Sequence, residues 1–167
     1  MLVGVAGLGK MGAAIAHRLI ETGNQVIVWN RSAERSLPLV AAGAAAVTSP
    51  AELASAVEII ITSLSDAAAI EGVYGGPSGL LAGDVEGELF IEMSTVRPGV
   101  ETALAERVRA KGAAFVECPV GGSTGPARQG KLIGSWVRSR PTPHGRSRCS
   151  TNCVGASSIA ARSATAR

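Results

Sequence analysis

Leu2–Ala6 is a short apolar run that ends in a cluster of glycines, and beyond it Met11, Ile15 and Leu19 recur every four residues. That change of period predicts a strand, a tight turn and a helix. Gly23 and Asn24 stop the helix, and Gln25–Trp29 is a second β-rich run closing on Asn30, Arg31 and Ser32. Ser32 can cap a short third element over residues 33–42. Ser49, Pro50 and Glu52 stand as N-cap, first and third positions of a capping box, opening a helix that ends near Ala56. Residues 57–64 contain three consecutive isoleucines and predict a strand buried on both faces, the habit of a parallel sheet.

The alternation continues with a helix over 66–73, a loop over 75–83 and a strand over 89–93. A helix follows over 98–111, with Val100, Leu104 and Val108 on one stripe, and then a strand over 114–120. Strands alternating with helices through short loops predict an α/β fold, a doubly wound parallel sheet with right-handed crossovers. From Gly134 the pattern collapses into Ser, Arg, Pro, Thr and Ala, with Trp136, Val137, Val154 and Ile159 the large apolar residues left. The expected organisation is one α/β domain over 1–133 and a disordered Arg/Ser-rich tail over 134–167.

Composition narrows the functional classes. Of 167 residues, 46% are apolar and 3% aromatic, with 21 glycines; so few rings make base stacking on nucleic acid a poor expectation. The net charge of +3 hides an asymmetry: up to Leu132 ten Lys and Arg face thirteen Asp and Glu, and beyond it come six Arg and no acid. Those arginines lie scattered without a helical stripe or aromatic partners, so a nucleic-acid arm is not expected. The longest charge-free stretch, 36–51, is broken by Pro38 and Pro50 and is too short to span a bilayer. The apolar start lacks a basic segment and a cleavage site, so a cytoplasmic protein without a signal peptide or membrane partner is expected. Three cysteines without a close pair support neither a disulfide framework nor a metal site.

The chemistry sits at the first turn. Gly7, Gly9 and Gly12 form GxGxxG between strand and helix, where they serve a tight turn, close approach to a pyrophosphate and close helix packing. Leu8, Lys10 and Met11 complete the loop, with Lys10 a possible phosphate partner, and the helix N-terminus offers free N–H groups. An acidic residue closing the second strand would accept bonds from the ribose of NAD. Here Asn30, Arg31 and Ser32 stand instead, and a guanidinium with a hydroxyl suits a 2′-phosphate, which favours NADP over NAD. Bland readings stand beside these: Arg31 a solvated turn residue, Ser32 only a cap.

GLGKMG, VWNRS, EMSTVRP and ECPVGGSTGPARQGKL, in that order over residues 1 to about 133, resemble the β-hydroxyacid dehydrogenases. That group includes 3-hydroxyisobutyrate dehydrogenase, glyoxylate and succinic semialdehyde reductases, and the related NADP-binding domain of 6-phosphogluconate dehydrogenase. The resemblance implies an oxidoreductase transferring hydride to or from a small 3-hydroxy acid or its carbonyl counterpart. It also implies a Rossmann-type domain followed by a helical domain that closes the site and makes an oligomer. By position it sets Ser63, Leu64, Ser65 and Thr95 near the nicotinamide, and Gly121, Gly122 and Ser123 around a substrate carboxylate, where small residues expose backbone N–H groups to the anion. Helix capping is the bland alternative for Ser94 and Thr95, and a plain turn for Gly121 and Gly122. The family carries Ser before its two glycines and Gly where Pro126 stands, whereas the serine here is displaced to Ser123.

Hydride transfer at a hydroxyl carbon also needs a group to exchange the alcohol proton and steady the oxyanion. The family uses a lysine on the first long helix after this domain; Lys10, Lys111 and Lys131 do not match it, so no catalytic residue is assigned and this chain alone is expected to be inactive. Read two nucleotides later in GC-rich codons, Gly134 onward can encode a family-like segment, so a frameshift near residues 132–135 is the expected origin of the tail. The alternative function is a non-catalytic NADP-binding fragment.

Overall fold

The computed structural model describes residues 1–134 together with the backbone of Cys153–Val154. The elements follow in the expected alternation: β1 (Leu2–Ala6), α1 (Lys10–Glu21), β2 (Gln25–Trp29), α2 (Leu37–Ala41), β3 (Ala45–Ala46), α3 (Pro50–Ala56) and β4 (Ile59–Thr62). Then come α4 (Ala67–Tyr74), β5 (Leu89–Glu92), α5 (Pro98–Ala110), β6 (Ala114–Glu117), β7 (Val120–Gly121), α6 (Thr124–Arg128), β8 (Ile133–Gly134) and β9 (Cys153–Val154). Six strands pair in the order β3-β2-β1-β4-β5-β6, every pair parallel. The order reverses direction between β1 and β4, and in open α/β sheets ligands bind at the carboxyl ends of the strands at such a point.

Side chains of one strand alternate between two apolar layers. Val3, Val5, Ile59, Ile61 and Ile91 pack with Ile15 and Leu19 of α1 and Leu39 of α2. Ile60, Phe90 and Phe115 face the other way, onto Leu53 of α3, Ile70 and Tyr74 of α4, and Leu104 and Val108 of α5. β4 is buried at all four positions, as its isoleucine run predicts.

Several expectations needed correction. The element expected over 33–42 splits into a 3₁₀ turn, Ala33–Ser36, and the short α2, and the Ser32 side chain makes no capping bond. The strand expected over 57–64 is four residues long, because Val57 closes α3 and Ser63 begins a loop. The strand over 114–120 ends at Glu117, and after Pro119 the chain turns into the antiparallel pair β7 and β8. Neither Ser94 nor Thr95 caps α5, whose N-cap is Arg97. The capping box at α3 is present, with Glu52 N–H donating to Ser49 Oγ at 3.1 Å, while the Glu52 carboxylate reaches one residue further back, to Thr48 N–H at 2.8 Å. The tail assigned from Gly134 lies outside the described residues apart from Gly134 in β8 and the pair in β9.

Candidate dinucleotide site

The glycine loop is shaped by contacts that leave no room for side chains at two positions and leave open space at a third. Gly7 has φ +92°, and a Cβ there would lie 2.4 Å from the Ser63 carbonyl oxygen. A Cβ on Gly12 would lie 1.9 Å from the Gly7 carbonyl oxygen, so the close packing of α1 on the loop needs glycine. A Cβ added to Gly9, the N-cap of α1, would by contrast meet nothing within 4 Å. Gly9 lines this open space at the start of a twelve-residue helix, whose first N–H groups lack intrahelical acceptors, an arrangement fitted to an anion.

That space is one end of a cleft of about 1100 Å³. Gly7 and Gly9 line its floor, Trp29, Asn30, Arg31, Ser32 and Arg35 one wall, and Ser63, Leu64, Ser65 and the start of α4 the other. The turn that contains Gly75, Gly76, Pro77, Ser78 and Gly79 also lines the cleft. Asn30 is held by two backbone groups: its Oδ1 accepts from Leu8 N–H at 2.8 Å and its Nδ2 donates to the Ser32 carbonyl at 3.0 Å. It thereby ties the glycine loop to the end of β2, a bracing role that the sequence did not reveal. Arg31 and Arg35 are both exposed on the cleft wall, and Arg35 was missed in the sequence although it lies one helical turn beyond Arg31.

On the opposite wall Ser65 Oγ donates to Asp66 Oδ2 at 2.8 Å, and Asp66 caps α4 through Ala69 N–H at 2.8 Å. These bonds, the backbone one foremost, hold the Asp66 carboxyl below its usual range, with a smaller pull from Arg31 across the cleft. Leu8, Lys10, Met11 and Gly12 belong to the loop and to α1 but do not line the cleft, and Lys10 is exposed to solvent. Thr95, Gly121, Gly122 and Ser123 are exposed and also lie outside the lining. They follow β5 and β6 at the same carboxyl end of the sheet, on the far side of β4 from the arginines.

Residues 2–135 match the family model described as the NAD binding domain of 6-phosphogluconate dehydrogenase. The chain belongs to this family. Glyoxylate/succinic semialdehyde reductase 1 of Arabidopsis thaliana is 41% identical over 133 residues, which is 80% of this chain and 46% of the reductase. Cytokine-like nuclear factor N-PAC of Danio rerio is 37% identical over 131 residues, 78% of this chain and 28% of that protein. Among solved structures, Psf3 in complex with NADP+ and 2-OPP superposes with a TM-score of 0.78 at 32% identity, covering 83% of this chain and 49% of Psf3. The chain thus spans under half the length of each of these relatives. The matched region is the NAD binding domain of the 6-phosphogluconate dehydrogenase family, and its Rossmann-like parallel sheet is the fold the alternation predicted. Among the described residues no helix is long and apolar enough to cross a membrane, and no group of three or more His, Cys, Asp or Glu could hold a metal ion.

Proposed function

We propose that this domain binds NADP(H) and serves a reductase or dehydrogenase acting on a small carboxylate-bearing alcohol or carbonyl compound. The observation that carries the reading is the pairing of open space over Gly9 at the foot of α1 with Arg31, Ser32 and Arg35 along one wall of the same cleft. The pyrophosphate would lie against the free N–H groups of α1, and the 2′-phosphate between the two guanidinium groups and the Ser32 hydroxyl. No acidic residue closes β2 itself, where Asn30, Arg31 and Ser32 stand; the acids nearby are Glu34, exposed in the 3₁₀ turn between Ser32 and Arg35, and Glu71 of α4, which lines the cleft. When bound, the nicotinamide supplies or accepts hydride. Thr95 and the exposed Gly121, Gly122 and Ser123 would then face the nicotinamide half, with the three-residue turn as the seat of the substrate carboxylate.

Titration with NADPH and NADH, followed by nicotinamide fluorescence, tests the reading. NADPH binds more tightly than NADH, and Arg31→Ala weakens NADPH by about 10–100-fold, the loss expected for a charge-assisted bond, while NADH is little changed. Equal affinity for the two cofactors, or no binding of either, would overturn it. A second reading, that the chain as written binds NADP(H) without turnover, is favoured by the lysines: Lys10, Lys111 and Lys131 are all exposed and none lines the cleft. Turnover of a semialdehyde or hydroxy acid by this chain would end that second reading.

A further inference from the structure

Beneath the two loops that follow β4 and β5 lies a buried polar network surrounded by apolar side chains. Glu92, the last residue of β5, is fully buried. Its Oε1 accepts from Ser94 N–H at 2.8 Å, and its Oε2 accepts from the hydroxyls of Thr62, at the end of β4, and of Tyr74, on α4, the latter at 3.1 Å. The Thr62 and Tyr74 oxygens also stand 2.9 Å apart, so the single proton of either hydroxyl can go to Glu92 or to the other hydroxyl. Ser94 in turn accepts Leu64 N–H on its Oγ at 2.8 Å, so the loop after β4 hangs from the loop after β5. Such a network is stable only when its members are all satisfied, and here one carboxylate supplies acceptors to both strand ends and to a cleft-lining helix.

We propose that Glu92 is a positioning residue that, through Ser94, fixes the spacing of the loops at 63–65 and 94–95 and so shapes the nicotinamide half of the dinucleotide site. The inference rests on the cofactor reading above. A dinucleotide lies across the point where strand order reverses, with its adenosine half over β2, so its other half falls over the ends of β4 and β5, where these loops stand. The adenosine half meets residues that the network does not touch, Arg31, Ser32 and Arg35.

The test compares NADPH with 2′,5′-ADP, which carries only the adenosine half, in the full chain and in Glu92→Ala, Glu92→Gln and Ser94→Ala. Glu92→Ala and Ser94→Ala are expected to weaken NADPH by about five-fold or more, the cost of a lost hydrogen bond, and to leave 2′,5′-ADP within about two-fold. Glu92→Gln keeps a carbonyl for Ser94 N–H and restores most of the NADPH affinity. Unchanged NADPH binding in both truncations, or a parallel loss of both ligands, would overturn the proposal. If Glu92→Ala does not fold, Ser94→Ala, which removes one hydroxyl, decides the question. Amide exchange at 63–65 without ligand separates this inference from the cofactor reading. Faster exchange in Ser94→Ala supports the tie even if wild type binds neither nucleotide, and unchanged exchange refutes it.

Discussion

Glu101 offers the sharpest quantitative test of the packing. It lies on α5, is 4% exposed, and neither carboxylate oxygen has a hydrogen-bond partner among the described residues. Burial first, then the charges of Glu92 and Glu117 on the strands beneath, pushes its pKa from 4.5 to about 8. The folded state therefore binds a proton that the unfolded chain releases near 4.5, so stability is full below that pH and declines until about 8. At about 1.4 kcal/mol per pKa unit, the ionised form costs roughly 4–5 kcal/mol as an upper bound. Glu88, raised to about 7 by burial and then by Asp84, adds a decline of the same sign. Replacing Glu101 with leucine removes the charge and continues the stripe of Leu104 and Val108. Urea unfolding at pH 5 and pH 9 measures the effect: the variant's stability relative to wild type should improve by roughly 3–5 kcal/mol between those pH values. A relative stability that is the same at both would refute the assignment of Glu101 as a strained buried acid, and a wild type more stable at pH 9 than at pH 5 would reverse the sign.

Other outcomes follow from the loop and the caps. Gly12→Ala places a methyl 1.9 Å from the Gly7 carbonyl oxygen. It should destabilise the domain by roughly 2–3 kcal/mol, read as a lower melting temperature by circular dichroism, and displace the loop enough to weaken NADPH. Ser49→Ala removes the acceptor for Glu52 N–H and should cost about 1 kcal/mol in urea unfolding, with Ser49→Gly costing less. An unchanged midpoint in either case would count against the loop or cap geometry described here.

The first half of the fold was legible because period and punctuation agree there: alternating and four-residue apolar spacings, interrupted at glycines and at Ser49 and Pro50, bound β1, α1, β2 and α3 correctly. Where an apolar run crosses an element boundary the pattern blurs, and residues 57–64 read as one strand although Val57 belongs to the helix cap. Burial of charge was not legible from composition. Glu92 and Glu101 look like solvated acids in the sequence, yet Glu101 stands three residues before Leu104 and seven before Val108, spacing that marks it as a core position. The glycine loop, Arg31 and Ser32 announced the cleft through residue type, while Arg35 and the turn at 75–79 joined it through tertiary folding alone. Asn30 lines the cleft as expected of its position and also braces it, a task not legible in the sequence, since a side-chain amide bonded to two backbone groups cannot be recognised from its neighbours in the chain.

The strand order carries a consequence for synthesis. β1 receives β2 on one edge soon after emerging, but its other edge waits for β4, which begins thirty residues beyond the end of β2. At about 5–20 residues per second the ribosome leaves that edge open for roughly 2–6 seconds. During that interval the edge of β1 that pairs with β4 has its N–H and C=O groups unpaired, the kind of edge on which strands of other chains pair. The pairing of β4 on β1 thus ends a liability to association between nascent chains that lasts until residue 62 is free.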